Sequence, residues 1–288
     1  MALINCPECE GMVSDKAEFC PHCGIHKNLI LKSKLLISKD IKKRIVNSPG
    51  MMGWHMAMLN NNGRVFAKGF NSSHQCDVLE WEDIVEISAG QGYTLGLKAD
   101  GTVCYTGCND YGQQDITKLK GIKSISAGYN HSVALMQNGT VIATGNNDFG
   151  QCNVSSWKDI VEIETDVENT YGITKEGRVL YAGSGGYPAG YVSKNWDNIR
   201  NIVEYYSFIV GVKRDGSILT TNPPFGEDSP IISNVEQLSE LKDISSLTIL
   251  NRCVVGVTEQ GLIFSMGLLK SNGNVELRNA VETLQNEF

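Results

Sequence analysis

Proline, histidine and long apolar runs are all scarce in this sequence of 288 residues. No apolar run approaches the ~20 residues that a membrane-spanning helix needs, so we expect no such span. The five histidines show no metal-binding spacing with acidic residues, which argues against a histidine-based metal site. The seven prolines accompany 30 glycines, about 10% of the chain against an average near 7%. This excess of glycine alone indicates many tight turns rather than a low-complexity chain.

The charge is distributed unevenly along the chain. The net charge is -7, yet residues 27–44 hold seven Lys or Arg and one acid, Asp40. From residue 45 onward there are 17 basic and 27 acidic residues. An acidic main domain argues against a phosphate-binding surface there. The basic linker of residues 26–40 either contacts an anionic surface or a partner, or packs as a strand on the acidic domain.

Nine cysteines follow a polar N-terminus that does not resemble a secretory signal. In a chain without a secretory signal, many cysteines indicate a reducing compartment and metal binding rather than disulfide bonds. We therefore expect the protein in the cytoplasm.

Four of the cysteines form two Cys-Pro-x-Cys pairs, with ten residues between the pairs. Two such turns facing each other present four thiolates in the tetrahedral arrangement that Zn²⁺ prefers in structural sites. His22 is a conceivable substitute ligand, but four thiolates already complete the shell. The spacing predicts a structural zinc site with these ligands: Cys6, Cys9, Cys20 and Cys23.

Residues 3–25 resemble bacterial zinc-ribbon modules, which carry the same paired turns. One departure is Gly11, which follows the first pair one residue later than in those modules. The resemblance implies a module that docks on protein or nucleic acid.

A repeat of 38 residues fills the rest of the chain. Its turn glycines lie at intervals of 38, 38, 38, 39 and 45 residues: Gly63, Gly101, Gly139, Gly177, Gly216 and Gly261. In four of them Asn or Asp precedes the glycine, a pair that suits the positive φ angles of a type I′ hairpin turn. Alternating apolar positions between the turns predict short strands with almost no helix.

Short strands in units of about 40 residues are typical of propeller blades. A small residue recurs in one strand of each unit, and we expect it where strands crowd together near the axis. Residues 40–59 match the second half of a unit and residues 261–267 match the first half. We therefore predict an all-β chain: a β-propeller of about six blades, one of them a composite of both chain ends.

Three segments carry a family resemblance. Residues 125–135 resemble the repeat of the regulator of chromosome condensation, and residues 107–113 and 145–151 match its other hallmark. The resemblance extends over residues 40–267, with units as short as those of bacterial propellers of this superfamily. It implies a β-propeller whose loop faces bind other proteins.

One repeat column holds His131, with His55, Tyr93 and Asn169 at the matching positions. A histidine that recurs in a repeat column is expected to hydrogen-bond a turn backbone rather than to catalyse a reaction. Cys76 and Cys152 lie two repeats apart, which indicates packing rather than reactivity.

Two places break the repeat and are the candidate partner contacts. Trp54 stands where other units have Gly, Asn or Glu, and it either anchors a partner or packs on the N-terminal segments. The 45-residue unit adds about seven residues, and insertions in repeat proteins often lie on the binding face. They include Pro223, Pro224 and Phe225.

The sequence thus divides into a zinc ribbon (1–25), a basic linker (26–40) and a propeller (41–288). No matched nucleophile, base and orienting group is present, so we expect no enzyme. We expect a scaffold that binds another protein through the propeller loops, with the ribbon as a second docking module. The alternative is a nucleic-acid-associated factor that uses the ribbon and the basic linker.

Overall fold

The structure is a computed structural model that describes residues 3–5, 12–14, 45–47, 55–60, 62–184, 192, 194–205, 208–221, 241–250, 253–259 and 263–267. These residues form short antiparallel strands in one two-stranded and six three-stranded sheets. A 3₁₀ helix covers Gln113–Lys118. No helix among the described residues is both long and apolar enough to cross a membrane.

The two-stranded sheet pairs β1 (Leu3–Asn5) with β2 (Met12–Ser14). The three-stranded sheets follow in chain order and each consists of three consecutive strands. They are β3 (Ile45–Asn47), β4 (His55–Leu59) and β5 (Val65–Gly69); β6 (Ile84–Gly90), β7 (Tyr93–Lys98) and β8 (Val103–Gly107); β9 (Ile122–Ala127), β10 (His131–Met136) and β11 (Val141–Gly145); β12 (Ile160–Thr165), β13 (Asn169–Thr174) and β14 (Val179–Gly183); β15 (Ile199–Tyr205), β16 (Phe208–Lys213) and β17 (Ile218–Thr220); β18 (Ile244–Leu250), β19 (Cys253–Thr258) and β20 (Ile263–Gly267).

The first strands of the six sheets form a closed cycle of contacts. Each contacts the first strand of the next sheet, and β18 of the last sheet contacts β3 of the first. We call these the inner strands, and the second and third strands of each sheet its middle and outer strands. Small antiparallel sheets that meet in a cycle are the arrangement of a β-propeller, so the all-β, propeller-like prediction is confirmed.

The prediction that one sheet combines strands from both chain ends is wrong for the described strands. β20 pairs with β19 in the last sheet, and β4 pairs with β3 and β5 in the first. The reason is that the turn glycine lies inside a sheet, between its middle and outer strands, so a repeat counted from glycine to glycine cuts each sheet in two.

The inner strands of neighbouring sheets do not pair with one another as strands. Side-chain hydrogen bonds connect them instead. The carboxylate of Glu86 in β6 accepts hydrogen bonds from the Ser124 hydroxyl (2.7 Å) and the Ile125 amide (3.0 Å) of β9. The Asn201 side chain of β15 accepts one from the Leu247 amide of β18 (3.3 Å). These bonds satisfy edge amides that would otherwise be left without a partner near the axis.

The hairpin turns differ from the predicted type I′. Only the glycine has positive φ, +80° at Gly101 and +81° at Gly139, whereas the preceding Asp100 and Asn138 do not. The Gly101 amide donates to Lys98 O (3.0 Å), as in a type I turn followed by a left-handed residue. The carbonyl of Gly101 also accepts from the Ile122 amide of the next inner strand (3.1 Å), so the turn glycine links consecutive sheets.

In three middle strands the small residue, Gly96, Gly172 or Gly211, accommodates a tryptophan ring rather than a crowded axis. A Cβ on Gly96 would lie 2.7 Å from the Trp81 ring, and one on Gly172 would lie equally close to Trp157. In the unit between them the ring is replaced by Leu119, and the small residue is Ala134. The middle-strand residue is therefore smaller where the side chain that packs over it is larger.

Candidate interaction face

Three loops that follow outer strands lie at one end of their sheets. The last residue of each outer strand pairs with the first residue of the middle strand: His55 with Gly69, Tyr93 with Gly107 and His131 with Gly145. The loops that follow these glycines therefore share a face with the connections from inner to middle strands. We call residues 69–76, 107–114 and 145–152 the aromatic loops, and this end of the propeller the aromatic face.

A buried glutamine sets the shape of each aromatic loop. The side-chain oxygen of Gln113 accepts a hydrogen bond from the Tyr111 amide, and that of Gln151 accepts one from the Phe149 amide, both at 3.0 Å. Gln75 makes the same bond to the Ser73 amide (3.0 Å). All three glutamines are almost fully buried. The loop backbone is thus held from beneath by a side chain that water does not reach.

An asparagine closes each loop from its outer side. The side-chain oxygen of Asn71 accepts from the Cys76 amide (2.7 Å), and Asn147 does the same for the Cys152 amide (2.8 Å). Asn109 repeats the contact with the Gln114 amide (2.9 Å). Short polar side chains that bond the backbone a few residues on stabilise turns of this kind.

The loops hold large aromatic side chains out of the core. Tyr111 and Phe149 occupy the same repeat position and are 50% and 51% exposed, and Phe70 is 56% exposed. Single exposed apolar residues are ordinary, but three aromatics on equivalent loops of one face form a repeated feature. Aromatic residues on a rigid backbone are well suited to anchor a partner.

Among the described residues, six loops and connections of the first four sheets at the aromatic face hold acids but no Lys or Arg. Residues 69–77, 107–115 and 145–153, with the connections 90–93, 128–131 and 165–169, contain no Lys or Arg. Of their acids, Asp77 pairs with His74 and Asp115 pairs with Lys118. Two others are exposed, and neither pairs with a cation within the described part of the chain: Asp110 and Asp148.

The opposite end of the sheets mixes both signs. Arg64 pairs with Glu82 (3.3 Å) beside the first hairpin turn. Lys175 pairs with Asp159 (2.7 Å), an exposed pair that lowers the pKa of the carboxyl and raises the pKa of the amine. The described loops at the two ends of the sheets therefore differ in the sign of their charged residues.

The histidine column anchors two of the aromatic loops. His55 Nε2 lies 2.7 Å from the Thr94 hydroxyl of the next sheet, and Thr94 donates to the carbonyl of Gln75 (2.7 Å). His131 Nε2 lies 3.0 Å from the Thr170 hydroxyl, which donates to the carbonyl of Gln151 (2.8 Å). Each hydroxyl has one proton and gives it to the carbonyl, so the histidine Nε2 must be the donor.

Tyr93 takes the histidine position in the second sheet and bonds the backbone directly. Its hydroxyl donates to the carbonyl of His131 (2.6 Å) and lies 3.1 Å from that of Gly128. The expectation of a turn-backbone partner therefore fits Tyr93, whereas His131 bonds a threonine side chain. Burial lowers the pKa of His131 to about 4, so its imidazole is neutral at pH 7.

The described cysteines of the loops are held as neutral thiols. Cys152 Sγ donates to the carbonyl of Asn146 (3.2 Å), and Cys76 Sγ donates to that of Phe70 (3.5 Å). Burial raises the pKa of Cys152 to about 11, the opposite of what an activated nucleophile needs. Their contacts tie the loop ends together, as packing residues do.

The predicted zinc ligands and the predicted partner contacts lie outside the described residues. These are Cys6, Cys9, Cys20 and Cys23 of the zinc site and Trp54, Pro223, Pro224 and Phe225 of the partner contacts. Among the described residues, no group of three or more His, Cys, Asp and Glu could hold a metal ion.

The described neighbours of the candidate partner contacts lie at the aromatic face. His55 follows Trp54 in sequence and pairs with Gly69. Thr221 precedes the 222–230 segment, and its amide donates to the carbonyl of Ile209 (3.0 Å) near the start of a middle strand.

Tyr111 and Phe149 were not among the contact residues predicted from the sequence. Their shared repeat position was visible, but aromatic residues in a column are as readily assigned to a core, and only the structure places them outside it.

One repeat unit matches a known family model. Residues 122–151 match the regulator of chromosome condensation (RCC1) repeat, a stretch that contains β9, β10, β11 and all but the last residue of the third aromatic loop. No curated protein matches the chain.

Solved structures with the same architecture include proteins from plants, human and yeast. The CRINKLY WD40 ectodomain of the Arabidopsis thaliana receptor kinase ACR4 has a TM-score of 0.56 at 15% identity, covering 79% of this chain and 86% of that one. Human WBSCR16 has a TM-score of 0.56 at 15% identity, covering 78% and 77%. Yeast RCC1 (Prp20), crystallised with Kap60, has a TM-score of 0.50 at 17% identity, covering 78% and 66%. At these identities the likeness is one of fold, and the chain carries an RCC1-like repeat propeller.

Proposed function

We propose that this chain is a non-enzymatic binding protein whose aromatic face binds another protein. The observation that carries the proposal is the exposure of three aromatic side chains, Phe70, Tyr111 and Phe149, on loops of shared construction. Because buried Gln113 and Gln151 hold two of these loops, binding would cost little loop ordering. The likeness in fold to yeast RCC1, which has been crystallised with Kap60, agrees with a protein-binding role.

The titratable groups near this face support binding rather than catalysis. His131 is buried against Thr170, and the thiol of Cys152 is bonded to a loop carbonyl. Burial shifts the pKa of both toward the neutral form at pH 7, and both contacts maintain the loops. A catalytic pair would instead need a thiolate or a base that reaches a substrate.

We propose six blades, one for each three-stranded sheet, and a zinc ribbon as a second docking module. The described hairpin supports the ribbon, because Asn5 lies opposite Met12 and the first cysteine pair falls between them in sequence. The ligands would be Cys6, Cys9, Cys20 and Cys23, and the metal would supply the folding energy of a segment with little core. Four thiolates also require a reducing compartment such as the cytoplasm.

A second candidate function is an association with nucleic acid. The seven Lys or Arg of residues 27–44 favour it, since cationic segments bind phosphates with strong salt dependence. DNA or RNA binding that weakens steeply with salt and is lost on deletion of residues 1–44 would support this function over the first.

The main proposal is tested by affinity capture with the full-length protein as bait. The comparison baits are a chain that lacks residues 1–40, a Tyr111→Ala/Phe149→Ala variant and a Leu79→Ala control. Leu79 is 65% exposed beside the first hairpin turn, where Arg64 donates to its carbonyl, at the opposite end of the propeller. We expect the double variant to lose a captured protein that the Leu79→Ala bait retains. Equal capture by both baits would contradict the aromatic face as the binding surface.

A further inference from the structure

We infer that the aromatic face binds a Lys- and Arg-rich segment of a partner polypeptide, with arginine preferred. This inference rests on the proposed function and adds the chemistry of the partner. The loops present an acid directly before an aromatic residue in two consecutive units: Asp110 before Tyr111, and Asp148 before Phe149. All four side chains are exposed.

The two residue types at each site recognise the same ligand group in different ways. A carboxylate accepts charge-assisted hydrogen bonds from a guanidinium or an ammonium group. An aromatic face attracts the same cation, and a planar guanidinium also stacks on the ring. Arginine can use both contacts at once, so a segment with several arginines could engage successive loops.

Two carboxylates of the aromatic face, Asp110 and Asp148, have no cationic partner within the described residues. The Asn146 amide group donates to Asp148 (2.7 Å). At the opposite end, Lys175 pairs with Asp159 and Lys213 with Asp197. A face with unpaired charge of one sign steers a partner of the other sign.

The aromatic face could bind either the basic segment of this chain or a segment of another polypeptide. The position of the residue that follows the basic segment favours another polypeptide. The segment of residues 27–44 leads directly into β3, where Ile45 pairs with Met58. Met58 is toward the hairpin end of β4, whereas His55 marks the aromatic face. Ile45, the residue after the basic segment, therefore lies toward the end remote from the acidic loops, and a nucleic acid would be repelled by those loops.

The test measures the binding of labelled peptides to the full-length protein by fluorescence anisotropy. The probes are a repeating Arg-Ser peptide, Lys-Ser and Glu-Ser peptides of equal length, and a DNA duplex. We expect the Arg-Ser peptide to bind more tightly than the Lys-Ser peptide, and both to weaken as salt is added. Because the acidic loops repel the Glu-Ser peptide and the duplex, variants of the face should not weaken any binding of them.

Two paired variants separate the two contacts. Asp110→Asn/Asp148→Asn keeps the shape of both side chains and should weaken Arg-Ser binding by about tenfold. Tyr111→Leu/Phe149→Leu keeps the charge and should remove the preference for arginine over lysine. The matched control is Leu79→Ala/Glu80→Gln, an exposed apolar and acidic pair at the opposite end, which should bind as the wild type does.

The outcomes distinguish this inference from the proposed function. Unchanged Arg-Ser binding in the Asp110→Asn/Asp148→Asn variant would overturn the inference, as would duplex binding that this variant weakens. If the Tyr111→Ala/Phe149→Ala bait loses a captured protein while no basic peptide binds the face, the proposed function stands and the inference fails. If neither the bait nor the peptides depend on these residues, both are wrong.

Discussion

The indole ring of Trp157 occupies the space into which a side chain on Gly172 would extend. A Cβ at Gly172 would lie 2.7 Å from Cζ3 of the ring, closer than such carbon atoms approach in folded proteins. Trp157 is almost fully buried, so the ring has little room to move. The same relationship holds between Trp196 and Gly211.

Gly172→Ala should therefore destabilise the propeller by about 1–3 kcal/mol, the usual cost of overpacking a core. The measurement is urea unfolding followed by tryptophan fluorescence. Trp157→Leu combined with Gly172→Ala recreates the pair that Leu119 and Ala134 form in the preceding unit. We expect the double variant to be more stable than the sum of the two single changes predicts, and strict additivity would disprove the contact.

Gln113→Ala should loosen the second aromatic loop and leave the sheets intact. The variant removes the acceptor of the Tyr111 amide and leaves its neighbours with an unfilled space, at a cost of about 1–3 kcal/mol. Hydrogen exchange of the Tyr111 amide should become faster, while the amides of β7 keep their protection. Gln114→Ala is the matched control, since this neighbouring side chain is exposed. Equal exchange in the two variants would show that Gln113 does not hold the loop.

Acid should destabilise the protein in part through His131. The pKa of this side chain is about 4 in the folded state and 6.5 when exposed, so the unfolded chain binds more protons between these values. The contribution of neutral His131 to the free energy of unfolding is therefore fully present above pH 6.5 and is lost as the pH falls toward 4. Over the range from pH 6.5 to 5 the loss is about 2 kcal/mol.

His131→Gln keeps a donor for the Thr170 hydroxyl but cannot titrate. The difference between its unfolding free energies at pH 7 and pH 5 should be smaller than in the wild type. The same pH dependence in both proteins would place the titration elsewhere.

Cys6→Ser/Cys9→Ser should abolish zinc binding and leave the propeller folded. Two of the four predicted thiolates are lost, and serine does not replace them as a ligand for structural zinc. Metal analysis gives the stoichiometry, and thermal unfolding gives the stability of the propeller. Cys76→Ser is the control, since its thiol bonds the carbonyl of Phe70 in a described loop. Loss of the cooperative propeller transition in the zinc-site variant would contradict a boundary between ribbon and propeller.

The sequence by itself determined the period, the strand ends and the all-β class. Gly63, Gly101 and Gly139 lie in hairpin turns as their spacing predicts, because a turn depends on the local backbone and recurs wherever the same residues do. Tertiary structure decided what the repeated side chains contact. Gly172 is small because of Trp157, fifteen positions earlier, and Tyr111 is exposed on a loop that the buried Gln113 holds. Neither outcome is local, since each depends on how a connection packs across its own sheet and against the next one.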